Sequence, residues 1–201
     1  MNNNKIELLA PAGSFDTLKT AVNAGADAIY IGGSMFSARA SATNFDNAQI
    51  TEAIDYSHCR NVKIYVAINT LIKDEELKEC IDYISFLNDI GADAIIVQDI
   101  GLVHLIRKIF PKLTLHFSTQ STISSIEDIN ALKNFDIQRV VLPREITIGE
   151  ISQISKNCNL EIEAFIHGAL CVSYSGKCLL EVAQVTEVLV RKSVEKNICW
   201  K

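Results

Sequence analysis

One short segment that occurs twice constrains this chain more than anything else in it. Gly25-Ala26-Asp27-Ala28-Ile29-Tyr30-Ile31 returns as Gly91-Ala92-Asp93-Ala94-Ile95-Ile96-Val97. Each copy closes a helix-period stretch at a glycine and enters an apolar run. That is the signature of an α-to-β connection, because glycine adopts the left-handed conformation that ends helices.

The rest of the chain repeats the alternation. Apolar runs of strand length fall near residues 6–9, 28–31, 62–68, 94–97, 113–117, 139–142 and 160–165. Helix-period segments separate them, among them residues 15–23, 75–88, 101–110, 126–134 and 148–156. Near-continuous apolar strands alternating with amphipathic helices imply a parallel sheet covered by helices, either a barrel or an open doubly wound sheet. Ala10-Pro11-Ala12-Gly13-Ser14 after the first run fits neither the dinucleotide nor the P-loop glycine pattern. The expected fold is therefore a parallel (β/α) TIM-like barrel. A complete one typically needs roughly 250 residues, so 201 predicts one that is incomplete at the C-terminus.

With 48% hydrophobic and 21% charged residues the chain can bury a large core. A formal net charge of -5 argues against a broad basic surface for polyanions, though not against a local basic pocket. No apolar run approaches the roughly 18 residues of a membrane span, and no signal-peptide core follows Met1. The expectation is a cytoplasmic protein without a membrane partner. Of six cysteines, Cys59, Cys80 and Cys158 lie in helix-like stretches, where small buried hydrophobes are expected.

Barrel active sites form at the C-terminal ends of strands. The polar residues there are Gly13 and Ser14, Gly32 and Gly33, Asn69, Gln98 and Asp99, Ser118 and Gln120, Arg144 and Glu145, then His167. Ser14, Asp99 and Ser118 precede helical segments, so helix capping is an equal reading for each. Asn69, Gln98, Gln120, Arg144 and His167 are expected to share one cleft. Arg144 and Glu145 could hold an anionic substrate or bridge each other at the rim. His58, His104 and His116 sit inside elements and read as structural; His167 stands beside a cysteine loop.

In that loop, Cys171 and Cys178 are separated by six residues, with Gly168 and Gly176 freeing the backbone. Two soft thiolates at such spacing suit a metal or an iron–sulfur cluster. A structural zinc pair and two unrelated buried thiols remain open on spacing alone, since a zinc or cluster site normally needs four ligands.

The segment carrying Glu163, Phe165, Gly168, Ala169, Leu170, Cys171, Gly176, Cys178 and Leu180 resembles the signature of peptidase family U32, the collagenase-like peptidases. Leu8 to Gly13, Gly32-Gly33, Phe36-Ser37-Ala38-Arg39, Asn69-Thr70-Leu71, Gln98-Asp99, Ser118-Thr119-Gln120 and Pro143-Arg144-Glu145 are similar to the same family. The resemblance implies either a peptidase or an iron–sulfur protein that hydroxylates RNA bases or a quinone precursor. It further implies a 4Fe–4S cluster on four cysteines, with Cys171 and Cys178 as the first two. Partners would be RNA or a small aromatic molecule, alternatively a peptide. Glu163, His167, Arg144, Gln120 and Asn69 are the candidate catalytic groups. No Cys-His pair with an orienting group, His-Glu-x-x-His helix or nucleophile elbow is apparent, which ranks hydroxylation above peptide cleavage.

After Leu180 the resemblance stops. The chain ends EVAQVTEVLVRKSVEKNICWK, where the family usually shows G-G-R-S-G-N-R-G and then C-A-Q-P-C-R. Codons permitted from Glu181 onward, read one base earlier, can spell G-G-R-S-G-N-R-G-x-C-A-Q-V-C-R-K-K-Y. The expectation is a barrel domain over residues 1–180 and an aberrant, frame-shifted tail over 181–201, leaving two of four cluster ligands and at most weak activity. A genuine final strand or helix over residues 181–190 is the alternative.

Overall fold

The computed structural model describes residues 6–38, 44–168, 171 and 173–177. Arg39, Cys178 and the tail beyond residue 180 lie outside them. The chain divides into two compact units, Met1–Thr114 and Leu115–Lys201.

The first unit runs β1 (Leu9–Ala12), α1 (Phe15–Asn23), β2 (Ala28–Gly32), α2 (Asn47–His58), β3 (Lys63–Ile68), α3 (Leu77–Asp89), β4 (Ala94–Val97) and α4 (Ile100–Ile109). Strands β1 to β4 pair in chain order, every pair parallel. The second unit runs β5 (Leu115–Phe117), α5 (Ile126–Ala131), β6 (Arg139–Val141), α6 (Ile148–Asn157) and β7 (Glu161–Glu163), again parallel in chain order. Helical crossovers between sequential parallel strands are the connectivity of a (β/α) barrel.

The repeated segment now has a physical cause. Gly25 and Gly91 take φ of +92° and +82°, and neither would meet an atom if given a Cβ, so backbone conformation rather than space demands glycine. Around each, the two backbone bonds of a Schellman motif form: Gly25 N to Val22 O and Ala26 N to Ala21 O, then Gly91 N to Asn88 O and Ala92 N to Leu87 O. The aspartates clamp the next strand to the previous one. Asp27 Oδ2 accepts from Leu8 N at 2.9 Å while Asp27 N donates to Leu8 O. Asp93 Oδ2 accepts from Ile64 N at 2.7 Å while Asp93 N donates to Ile64 O. In the second unit Gln138 performs the same two-way pairing with Leu115.

Both faces of the first unit's sheet are buried, as a parallel sheet requires. One face carries Ile29, Ile31, Ile64, Ile68 and Ile95, fully buried, as are Leu18, Ile50, Ile54, Ile84 and Leu87 on the helices. The other face gathers Ala28, Tyr65, Ala94 and Ile96 with Leu9 and Tyr30, a cluster drawn from strands alone.

Two expectations shift. The first strand is Leu9–Ala12 rather than residues 6–9: Ile6 is 89% exposed, Leu8 pairs with Asp27, and Pro11, lacking an N–H, sits in a strand whose described pairing is to β2. Among the cysteines expected to be buried in helices, Cys80 is, whereas Cys59 is exposed at the end of α2 and Cys158 half-buried at the end of α6.

Candidate functional site

In the first unit, the residues after the strands mostly fasten loops. Ser14 caps α1, exchanging hydrogen bonds with Thr17, and Asp99 caps α4 through Leu102 N while its other oxygen accepts from Ile72 N. Asn69, only 6% exposed, accepts the Ala38 N–H on Oδ1 at 2.9 Å, and Thr70 Oγ1 donates to Phe36 O. Both contacts tie the loop after β2 to the loop after β3. Gly33 lies against the Tyr83 hydroxyl, where a Cβ would overlap it. Gln98 is half-buried after β4. Burial pushes the Tyr83 phenol up to about 12, with Cys80 adding to it, and burial likewise pushes the Cys80 thiol up to about 12, reinforced by Asp99, Glu76 and Glu79. Cys80 is thus an inert core thiol.

The second unit assembles three loops. After β5, Ser118 accepts from Gln120 N, and Thr122 takes φ +58° and donates Oγ1 to Ser175 O at 2.8 Å. After β6, the Arg144 guanidinium carbon lies 4.0 Å from the centre of the Phe165 ring. Its nitrogens approach Gly168, where a Cβ would stand 3.0 Å from them at φ +136°. Glu145 Oε1 accepts from both Ser175 N, at 2.9 Å, and Ser175 Oγ, at 3.2 Å. After β7 comes the cysteine loop itself, folded onto the others: Gly176 packs so tightly on the Gln120 carbonyl that any Cβ there would overlap it.

Cys171 is half-buried, and its sulfur accepts the Ser173 N–H at 3.4 Å. Amide donors of this kind steady a ligating thiolate. Phe165 and Tyr174 expose 42% and 44% of their surface on the same loop. His167 is exposed. Glu163 faces Arg139 at 3.6 Å, and Arg139, 8% exposed, also donates twice to Glu161. Among the described residues no group of three or more potential metal ligands occurs; Cys171 is the cysteine of this loop that lies within them.

Thus Gln120, Arg144 and His167 belong to one unit, together with Glu145, and Asn69 and Gln98 to the other. Thr122, Tyr174 and Ser175 were not singled out by sequence. Nothing in their identity marks them, and the contacts joining Thr122 and Glu145 to Ser175 span 53 and 30 residues.

The model of peptidase family U32 matches residues 13–197. This chain belongs to that family. A tRNA hydroxylation protein P1 of Bacillus subtilis is 39% identical over 88% of this U32 chain and 42% of its own length. A collagenase of Porphyromonas gingivalis is 33% identical over 90% of the chain and 46% of its own length. The U32 chain therefore spans less than half the length of these curated relatives. A solved U32 peptidase structure superposes with a TM-score of 0.66 at 14% identity, covering 84% of this chain and 72% of that one, which establishes the shared TIM-like fold class. No helix among the described residues is long and apolar enough to cross a membrane.

Proposed function

We propose that this U32 chain is the barrel part of a cytoplasmic, cluster-dependent hydroxylase of RNA bases, in which Cys171 and Cys178 supply two of the four thiolates of a 4Fe–4S cluster. The observation that carries the reading is the make-up of the loop after β7. One short segment presents a half-buried thiol supported by an amide, two exposed aromatic rings and, stacked on one of them, an arginine. Unpaired RNA bases are recognised by stacking on aromatic and guanidinium planes, and phosphates by arginine. An overall charge of -5 is compatible with this, because Arg144 supplies a cation where the base would sit. The greater identity to the tRNA hydroxylation protein than to the collagenase points the same way.

When bound, a 4Fe–4S cluster would supply one-electron redox chemistry. The chain's own part is to hold it by thiolates, to stack the base and to neutralise a phosphate. His167, exposed beside this loop, is the candidate for proton transfer.

The test compares the purified chain with its Cys171→Ser variant, under reducing, iron-replete conditions, for hydroxylation of RNA detected by nucleoside mass spectrometry and for cleavage of peptides. Hydroxylation that disappears with Cys171→Ser is the expected outcome. Metal-independent peptide cleavage that is lost on His167→Ala would overturn the proposal in favour of the peptidase.

A further inference from the structure

We propose that Glu145 and Thr122 are positioning residues for the cysteine loop, gripping Ser175 from two sides so that the Cys171 thiol is presented in a fixed place to a soft metal or cluster. The assignment rests on the cluster reading above and deepens it.

The grip lies inside the interval between the two cysteines, at the fourth residue after Cys171 and the third before Cys178. Every hydrogen-bonding group described at Ser175 is engaged from another loop. Its N–H and hydroxyl both donate to Glu145 Oε1, and its carbonyl accepts from Thr122 Oγ1. A serine hydroxyl and an amide converging on one carboxylate oxygen form charge-assisted bonds, which are stronger than neutral ones. Thr122 holds a left-handed backbone conformation that a β-branched residue rarely adopts, and in it the hydroxyl reaches the Ser175 carbonyl.

Gly176 completes the arrangement. At φ +77° it lies against the Gln120 carbonyl, and a Cβ would stand 2.6 Å from Thr122 Oγ1, so only glycine lets the loop close onto the residues after β5. The segment then turns back on itself through Lys177 N to Tyr174 O at 2.9 Å. A loop of this length left free would lose conformational entropy on binding a metal, whereas a pre-ordered one binds more tightly. Glu145 and Thr122 both bond to Ser175. Their effect runs through Ser175.

The probe is cobalt(II), added anaerobically to the full chain with a non-thiol reductant and followed by thiolate-to-cobalt charge-transfer absorption. Wild-type protein is expected to show a band that Cys171→Ser abolishes. Glu145→Ala should weaken cobalt affinity about tenfold and Thr122→Val about threefold, as expected for removing two charge-assisted bonds and one neutral bond at a partly exposed site. Glu145→Gln should restore affinity to within about threefold of wild type, since an amide oxygen still accepts both bonds.

Hydrogen exchange at the Ser175 amide is measured on the same variants. Faster exchange in Glu145→Ala, with an unchanged melting temperature, is the expected sign that the grip has opened without unfolding. Unchanged exchange would overturn the assignment at its source, as would a Cys171-dependent band of equal affinity in wild type and Glu145→Ala. A wild-type protein with no Cys171-dependent band would instead sink the cluster reading, and the role given to Glu145 and Thr122 would fall with it.

Discussion

At the N-terminal ends of the strands the same device is used repeatedly, whereas at their C-terminal ends the described loop residues make different contacts in each loop. Asp27 and Asp93 clamp successive strands with identical geometry, and Gln138 does so in the second unit. After the strands, Asn69 and Tyr83 hold the loop after β2 from two sides, and Glu145 reaches across to the cysteine loop. The difference fits a division of tasks: a recurring structural task recruits the same residues each time, while a site would need each loop only once. Opposite stability and functional ends are the general division of labour in (β/α) barrels.

The sharpest test of that division uses two thiols. Cys80 is fully buried with its thiol pushed up to about 12, whereas Cys171 is half-buried in a loop. Only the thiolate is nucleophilic, and about three units of displacement leaves on the order of a thousandfold less of it at neutral pH. Iodoacetamide at pH 8 followed by peptide mapping should label Cys171 at least 100-fold faster than Cys80. Comparable rates would break the contrast. The same shift predicts alkaline sensitivity. Because Cys80 and Tyr83 hold their protons in the fold above the pH at which they lose them in the unfolded chain, stability is intact below about pH 9. It then falls towards pH 12, by at most about 1.4 kcal/mol per pH unit for each group.

Next in size is the clamp itself. Asp93→Ala removes the acceptor of the Ile64 N–H and the partner of His58, 2.8 Å away. Ile64 is fully buried, so its orphaned amide should cost about 2 kcal/mol in urea unfolding. Asp27→Ala should cost less, because Leu8 is 45% exposed and water can replace the carboxylate. Equal losses would mean that burial of the partner does not set the cost. Smaller again is Gly91→Ala, about 1 kcal/mol, purely from forcing an L-residue into φ +82° with open space around it.

What the sequence revealed follows the same line. The alternation and the repeated glycine segment are local patterns, so helix α1 and strand β4 are found where periodicity places them. Strand β1 was displaced because Ala10-Pro11-Ala12 is less apolar than the exposed Ile6 and Leu8 before it; pairing with β2 overrides hydropathy there. The cysteine loop was visible as a motif. Its support was not, because Glu145 and Thr122 meet Ser175 only after the chain has folded. Glu163 was legible as an acid but not as a partner of Arg139, although the β6–β7 register puts Arg139 opposite Glu161, with Glu163 two residues on along the same face.

The smallest expected effect on stability is at the proposed base platform, and its smallness is the point. Phe165 and Tyr174 are exposed, and Phe165 touches Arg144 through a cation–π contact that at such sites is worth roughly 0.5–1 kcal/mol. Phe165→Ala should therefore lower stability by no more than about 1 kcal/mol, and Tyr174→Ala by less than about 0.5 kcal/mol. Binding of a short single-stranded RNA should respond far more, because a lost base–aromatic stack costs about 1–3 kcal/mol, or roughly 5- to 150-fold in affinity. Asp93→Ala should do the reverse, destabilising the protein while leaving RNA affinity of the folded fraction unchanged. Fluorescence anisotropy with the three variants separates the two ends: if Phe165→Ala and Asp93→Ala weaken RNA binding equally, the loop after β7 is not where the base stacks.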